Sequence, residues 1–161
     1  MKLYVNEKLF SIHRKFYVKD ENDLVIYEIS SNAISLGDKT TISDVNSNKI
    51  AYIEQELFHI MPNYNIYIND EHICKIIKKF HFFRNDYILS NGYKVQGKFM
   101  MLDFVIYDNI DNCIGSIKRN LISIGDKYEI EIIDTSKKEI ILAIVVAIAN
   151  DINRIQRSNN N

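Results

Sequence analysis

Apolar and polar residues alternate along most of this chain. In Tyr93-Lys94-Val95-Gln96-Gly97-Lys98-Phe99 the odd positions are apolar or glycine, while Lys94, Gln96 and Lys98 point the other way. Because successive side chains of a strand face opposite sides, this is the signature of a half-buried β-strand. Tyr128-Glu129-Ile130-Glu131-Ile132 and Ala51-Tyr52-Ile53-Glu54 repeat it. Between such runs lie clusters rich in Asp, Asn and Gly: Asp20 to Asp23, Asn46 to Asn48, Asn69 to Glu71, Ser90 to Gly92 and Asp108 to Asn112. These residues favour tight turns, so each cluster predicts a hairpin, and the series predicts a meander closing into a barrel or a sandwich.

The pattern is duplicated. Phe16 to Lys39 aligns without gaps onto Phe104 to Lys127 at a constant offset of 88, with 11 of 24 pairs identical. The unit reads strand, acidic turn, strand, then a corner, Gly37-Asp38-Lys39 or Gly125-Asp126-Lys127, whose glycine is expected at positive φ. A looser copy runs from Tyr64 to Arg84. No linker separates the units, so residues 1–157 are expected to form one domain.

The last segment changes period. Ser136 to Glu139 has capping-box spacing, and Ile140 to Ala149 is apolar at all ten positions. A bilayer span needs about 20 apolar residues, so a helix buried in a core, near 137–155, is the better reading, with 158–161 a frayed tail. The length, the alanines and the continuation through Ile152 and Ile155 favour helix over strand.

Composition narrows the class. Abundant Ile, Tyr and Phe suit pleated, half-buried strands, Trp is absent, and Pro62 is the single proline. A net charge of −1 and a pI near 6.4 argue against nucleic acid as a partner. Cys74 and Cys113 lack CxxC spacing and no signal peptide precedes Lys2-Leu3-Tyr4, so free thiols in a reducing cytoplasm are expected.

The meander of about twelve short strands, the repeated glycine corner and the apolar terminal helix resemble the LURP-one-related family. That family belongs to the tubby C-terminal-like superfamily, along with phospholipid scramblases. The residues that carry the likeness are Phe16 to Asp23, Ile34 to Lys39, Tyr64 to Asn69, Phe80 to Tyr87, Ile122 to Ile132 and Ile140 to Ile152. The resemblance implies a closed antiparallel β-barrel around a central hydrophobic C-terminal α-helix. It implies no activity or cofactor. Tubby proteins bind phosphoinositide head groups through basic strand residues, but no tubby motif maps here residue by residue. The calcium site of scramblases has no convincing counterpart.

Few residues point to chemistry. His13, His59, His72 and His81 have neither HxH nor HExxH spacing, and no P-loop, dinucleotide fingerprint or GxSxG elbow is present. Asp20-Glu21-Asn22-Asp23 opens like a calcium loop but lacks the glycine and distal glutamate, which favours a plain turn. No catalytic residue, metal ligand or cofactor is therefore expected. One feature stands out: from His72 to Met101 six cations, Lys75, Lys78, Lys79, Arg84, Lys94 and Lys98, face the lone acid Asp86. That window carries +5 and the rest of the chain −6. With Phe80, Phe82 and Phe83 among the cations, the leading expectation is a binding module for an anionic phospholipid or membrane surface. The competing reading makes the lysines solvated strand faces. A protein–protein adaptor is the second expectation, and an enzyme whose site is invisible in sequence is the third.

Overall fold

The computed structural model describes residues 1–6, 15–32, 37–59, 61–79, 86–97, 103–120 and 127–159. They form twelve strands and one α-helix: β1 Lys2–Asn6, β2 Lys15–Lys19, β3 Val25–Asn32, β4 Lys39–Asp44, β5 Lys49–Gln55, β6 Asn63–Ile68, β7 Glu71–Lys79, β8 Asp86–Leu89, β9 Lys94–Gly97, β10 Phe104–Tyr107, β11 Cys113–Asn120, β12 Lys127–Ile132 and α1 Lys138–Asn159. Each strand pairs antiparallel with the next, and β1 pairs with β12, so the meander closes into a barrel. Among the described residues closure gives every strand a neighbour on both sides, which removes the template for edge-to-edge aggregation.

The alternation read from sequence is what fills the barrel. Inward positions such as Leu3, Val18, Ile29, Ile42, Ile53, Ile66, Ile106 and Ile130 are buried, and their neighbours face out. Inside them lies α1, whose residues Ile141 to Ala149 are all buried. A barrel of twelve strands is too wide for its own side chains to fill, and the apolar helix occupies the space.

The duplication is visible in register. β3 and β11 begin and end 88 residues apart, and the β2–β3 bulge at Val18/Lys19 recurs at Ile106/Tyr107. The copies differ where α1 comes close. Buried Tyr27 corresponds to Gly115, where an added Cβ would lie 2.9 Å from the Glu131 carbonyl oxygen and 3.1 Å from Ile141 Cγ2. Gly37 has φ +86°, as the corner predicts, whereas Gly125 lies outside the described residues.

Two expectations for the helix are corrected. Its entry is capped by Asp134, whose carboxylate accepts from the Ser136 backbone N–H at 3.1 Å, rather than by Ser136. The 3-10 turn Thr135–Lys137 precedes Lys138, which moves the orphan backbone donors upstream to Asp134. The helix also continues to Asn159, past the predicted end at 155 and into the segment expected to fray.

Up-and-down topology divides the connections between two ends. At the turn end, 2 to 5 residues join β2 to β3, β4 to β5, β6 to β7, β8 to β9 and β10 to β11. At the other end, here the mouth, the connections run to 6 to 8 residues. The helix enters at the turn end and points its C-terminus toward the mouth.

Candidate functional site

The four described cations of the basic window do not share one face. Arg84 and Lys98, like Phe80, Phe82 and Phe83, lie outside the described residues. Along β7, Cys74 and Ile76 face the interior and Lys78 shares their parity, so Lys78 points inward. Lys75 and Lys79 point outward, as does Lys94 on β9.

On the outer face, acids from outside the window meet two of these lysines. Lys75 Nζ lies 2.7 Å from Glu56 Oε1. Glu56 also accepts from Asn65 Nδ2 at 3.0 Å and Asn63 Nδ2 at 3.3 Å, and His59 Nε2 lies 3.1 Å away. The hydrogen bond from Lys75, foremost, and those from the two asparagines hold the Glu56 carboxyl at a pKa of about 2. His72 Nε2 is 3.2 Å from Asn65 Oδ1, and its ring meets Tyr67 edge-on at 5.2 Å. Lys94 Nζ pairs with Asp111 Oδ1 at 2.7 Å. Lys79 is exposed at the end of β7.

Inside the barrel, Lys78 belongs to a polar cluster that holds the last buried turn of α1. Its Nζ lies 2.8 Å from Asp151 Oδ2, which also accepts from the Tyr87 hydroxyl at 2.9 Å. Asp151 is fully buried, and Arg154 Nη2 lies 3.9 Å from its other oxygen. Burial, reinforced by the Asp151 charge, pushes the Tyr87 phenol well above its usual range, so it remains a hydrogen-bond donor. From the preceding helix residue, Asn150 Nδ2 donates to Thr40 Oγ1 at 3.0 Å, and Thr40 Oγ1 lies 2.9 Å from Ser31 Oγ. Sequence reasoning missed this cluster. Two signals were present: Lys78 in phase with Cys74 and Ile76, and Asp151 directly after ten apolar residues and one asparagine.

The cluster ties β4, β7 and β8 to the helix. Burial raises the Cys74 thiol to about 12, which leaves it protonated and inert, and Cys113 is a free, exposed thiol. Among the described residues no three His, Cys, Asp or Glu side chains gather as metal ligands would. The acidic segment at Asp20 is a turn: Asp20 Oδ1 accepts from the Asn22 and Leu24 backbone N–H groups, both at 2.9 Å. Asp44 and Asp108 do the same for Asn46 and Asn48 and for Ile110 and Asn112. No helix among the described residues is long and apolar enough to cross a membrane.

A closed twelve-strand antiparallel barrel packed around its own C-terminal helix defines the class of this protein. Residues 1–149 match the family described as LURP-one-related, and the chain belongs to that family. A curated relative, "Uncharacterized protein YxjI" of Bacillus subtilis (strain 168), is 24% identical over 152 residues, which cover 94% of this chain and 92% of the relative. An X-ray structure of a protein from Arabidopsis thaliana superposes with a TM-score of 0.63 at 15% identity, covering 94% of this chain and 90% of the other. That likeness concerns the fold.

Proposed function

We propose that this LURP-one-related barrel is a non-catalytic binding module that acts through its outer surface and recognises a protein partner, as an intracellular adaptor does. The observation that carries this reading is the filled interior. Ile141 to Ala149 occupy the space in which a barrel of this size would hold a substrate, so recognition falls to the exterior. The anionic-surface reading loses support from the same geometry. Lys75 and Lys94 already face Glu56 and Asp111, and Lys78 faces Asp151 inside. A lysine near an anionic membrane contributes about 1 kcal/mol, and one held by a carboxylate contributes less.

Vesicle co-sedimentation tests the choice. The full chain is expected to remain in the supernatant with phosphatidylcholine vesicles, and equally with vesicles containing phosphatidylserine, even at low salt. Salt-sensitive sedimentation with the phosphatidylserine vesicles, lost in the Lys75→Glu, Lys79→Glu, Lys94→Glu triple variant, would establish the anionic-surface reading instead.

A further inference from the structure

We infer that the turn end of the barrel, at a groove over β2, β3 and β4, is a docking surface for a protein segment carrying apolar side chains beside lysine or arginine. This rests on the adaptor reading and names its partner's chemistry. Tyr17, Val25 and Val45 line the groove, with Glu28 and Asp44 as its charged members. Tyr17 is 47% exposed and Val45 65%. Outward positions of a filled barrel are ordinarily polar, so three apolar side chains around one depression call for an explanation beyond folding.

The neighbourhood extends the pattern. Around the turn end, Ile110, Ile133, Met1, Leu24 and Val45 are exposed, and they fall on adjacent strand ends and turns from β10 through β12 and β1 to β5. The β6–β7 and β8–β9 turns complete the circle with Asn69-Asp70 and Ser90-Asn91-Gly92. Apart from Ile73 near the start of β7, the exposed apolar residues described at this end occupy one arc, and the Asn69-Asp70 and Ser90 to Gly92 turns lie in the remainder.

Charge selects the occupant. Asp20, Glu21 and Asp23 sit on the turn beside the groove, and hydrogen bonds from Asn48 keep the Asp44 carboxyl below its usual range and ionised. Within the chain this pair of groups already holds Lys15, whose Nζ lies 2.8 Å from Glu28 Oε1 and 5.9 Å from the centre of the Tyr17 ring, so an incoming cation must exchange with it or bind at Asp44. Lys19 likewise pairs with Asp23 at 2.8 Å, and the surround stays acidic through Asp20, Glu21 and Asp44. A carboxylate beside an aromatic face is a receptor for an ammonium or guanidinium group. An anionic bilayer would meet acids here and be repelled, whereas a basic, apolar segment would find both contacts satisfied.

The test is a two-dimensional NMR titration of the full, isotope-labelled chain with three synthetic peptides: Lys-Leu-Leu-Lys-Leu-Leu-Lys, its glutamate counterpart, and its serine-for-leucine counterpart. The first is expected to shift the amides of Val25, Glu28, Ser43 and Val45 saturably, and the other two to bind at least tenfold more weakly. Tyr17→Ser with Val45→Ser should weaken the first peptide at least tenfold while leaving the melting temperature unchanged, because both side chains are exposed. Equal response to the glutamate peptide would overturn the inference. Saturable shifts confined to the mouth would also overturn it and leave the adaptor reading standing. No peptide response together with sedimentation on phosphatidylserine vesicles would overturn both.

Discussion

The two ends of the barrel are built by different kinds of interaction. At the turn end, each hairpin is specified within a few residues. Asp20, Asp44 and Asp108 each hold two backbone N–H groups of their own turn, and three residues on, Asp23, Ser47 and Asp111 take positive φ of 63°, 67° and 63°. Gly92 fills the same role after Leu89 with φ +89°. At the mouth, the buried contacts join residues far apart in sequence. Lys78 and Asp151 are 73 positions apart, Tyr87 and Asp151 64, and Thr40 and Asn150 110. Each turn is therefore a nearly independent local decision, although Lys137 at the helix entry also reaches Asp108 Oδ2 at 3.2 Å and the Met1 ammonium donates to the Ile132 carbonyl oxygen. At the mouth the described buried contacts converge on two successive helix residues, Asn150 and Asp151.

The helix that links the two ends gives the largest expected effect. Burying Ile141, Leu142, Ile144, Val145, Val146 and Ile148 contributes roughly 10–20 kcal/mol by per-side-chain estimates, against a net domain stability of roughly 5–15 kcal/mol. A chain ending at Asp134 should therefore not fold, although every hairpin of the turn end is intact in it. Circular dichroism and urea unfolding provide the check. A soluble, cooperatively unfolding truncation would mean that the barrel closes without its core helix. Val145→Asp should come close to the same loss, because it places an unpaired carboxylate among fully buried side chains.

Next in size is the contrast between two lysines. Lys78→Met leaves the buried Asp151 carboxylate without its closest cation and should cost about 3–5 kcal/mol. Adding Asp151→Asn removes the stranded charge and should recover part of that loss, with a coupling above about 1 kcal/mol in the double-mutant cycle. Lys94→Met, which breaks the exposed pair with Asp111 at the turn end, should change stability by less than about 1 kcal/mol. Equal costs for the two lysines in urea unfolding would remove the distinction between a coupled mouth and an additive turn end.

The same distinction explains what could be read in the sequence. Strand alternation, all five hairpin turns, the duplicated unit and the apolar helix are local patterns, and local patterns survive in a linear reading. The basic window was an accounting of charges along the chain, blind to partners outside it. Glu56, Asp111 and Asp151 all lie beyond its ends, and each engages one of its lysines. Lys78 could have been turned inward by parity alone, since Cys74, Ile76 and Lys78 are spaced by two. Its partner could not have been named, because the depth of the helix in the barrel follows from packing all twelve strands. The cap was ambiguous for a different reason. Asp134 and Ser136 are both competent caps, and the intervening 3-10 turn decides between them.

The smallest effect lies on the outer face and concerns pH. The Glu56 carboxyl has its pKa lowered from 4.5 to about 2, first by the hydrogen bond from Lys75 and then by those from Asn65 and Asn63. A carboxyl depressed in the folded state contributes stability that is fully present above its unfolded value, near 4.5, and is lost as pH falls through its folded value, near 2. The pair should thus be intact at neutral pH and weaken between about pH 4.5 and 2, a window in which other carboxylates also titrate. Carbon-detected NMR titration isolates Glu56 from them. In Lys75→Gln the Glu56 pKa should rise toward 4.5 while Asn65 and Asn63 keep it from returning fully, and its midpoint of thermal unfolding at pH 7 should hardly move. If the Glu56 pKa stays near 2 without Lys75, the asparagines hold the carboxylate unaided. Lys75 would then be available to an outside anion, and the case for a neutralised basic window would have to rest on Lys78 and Lys94.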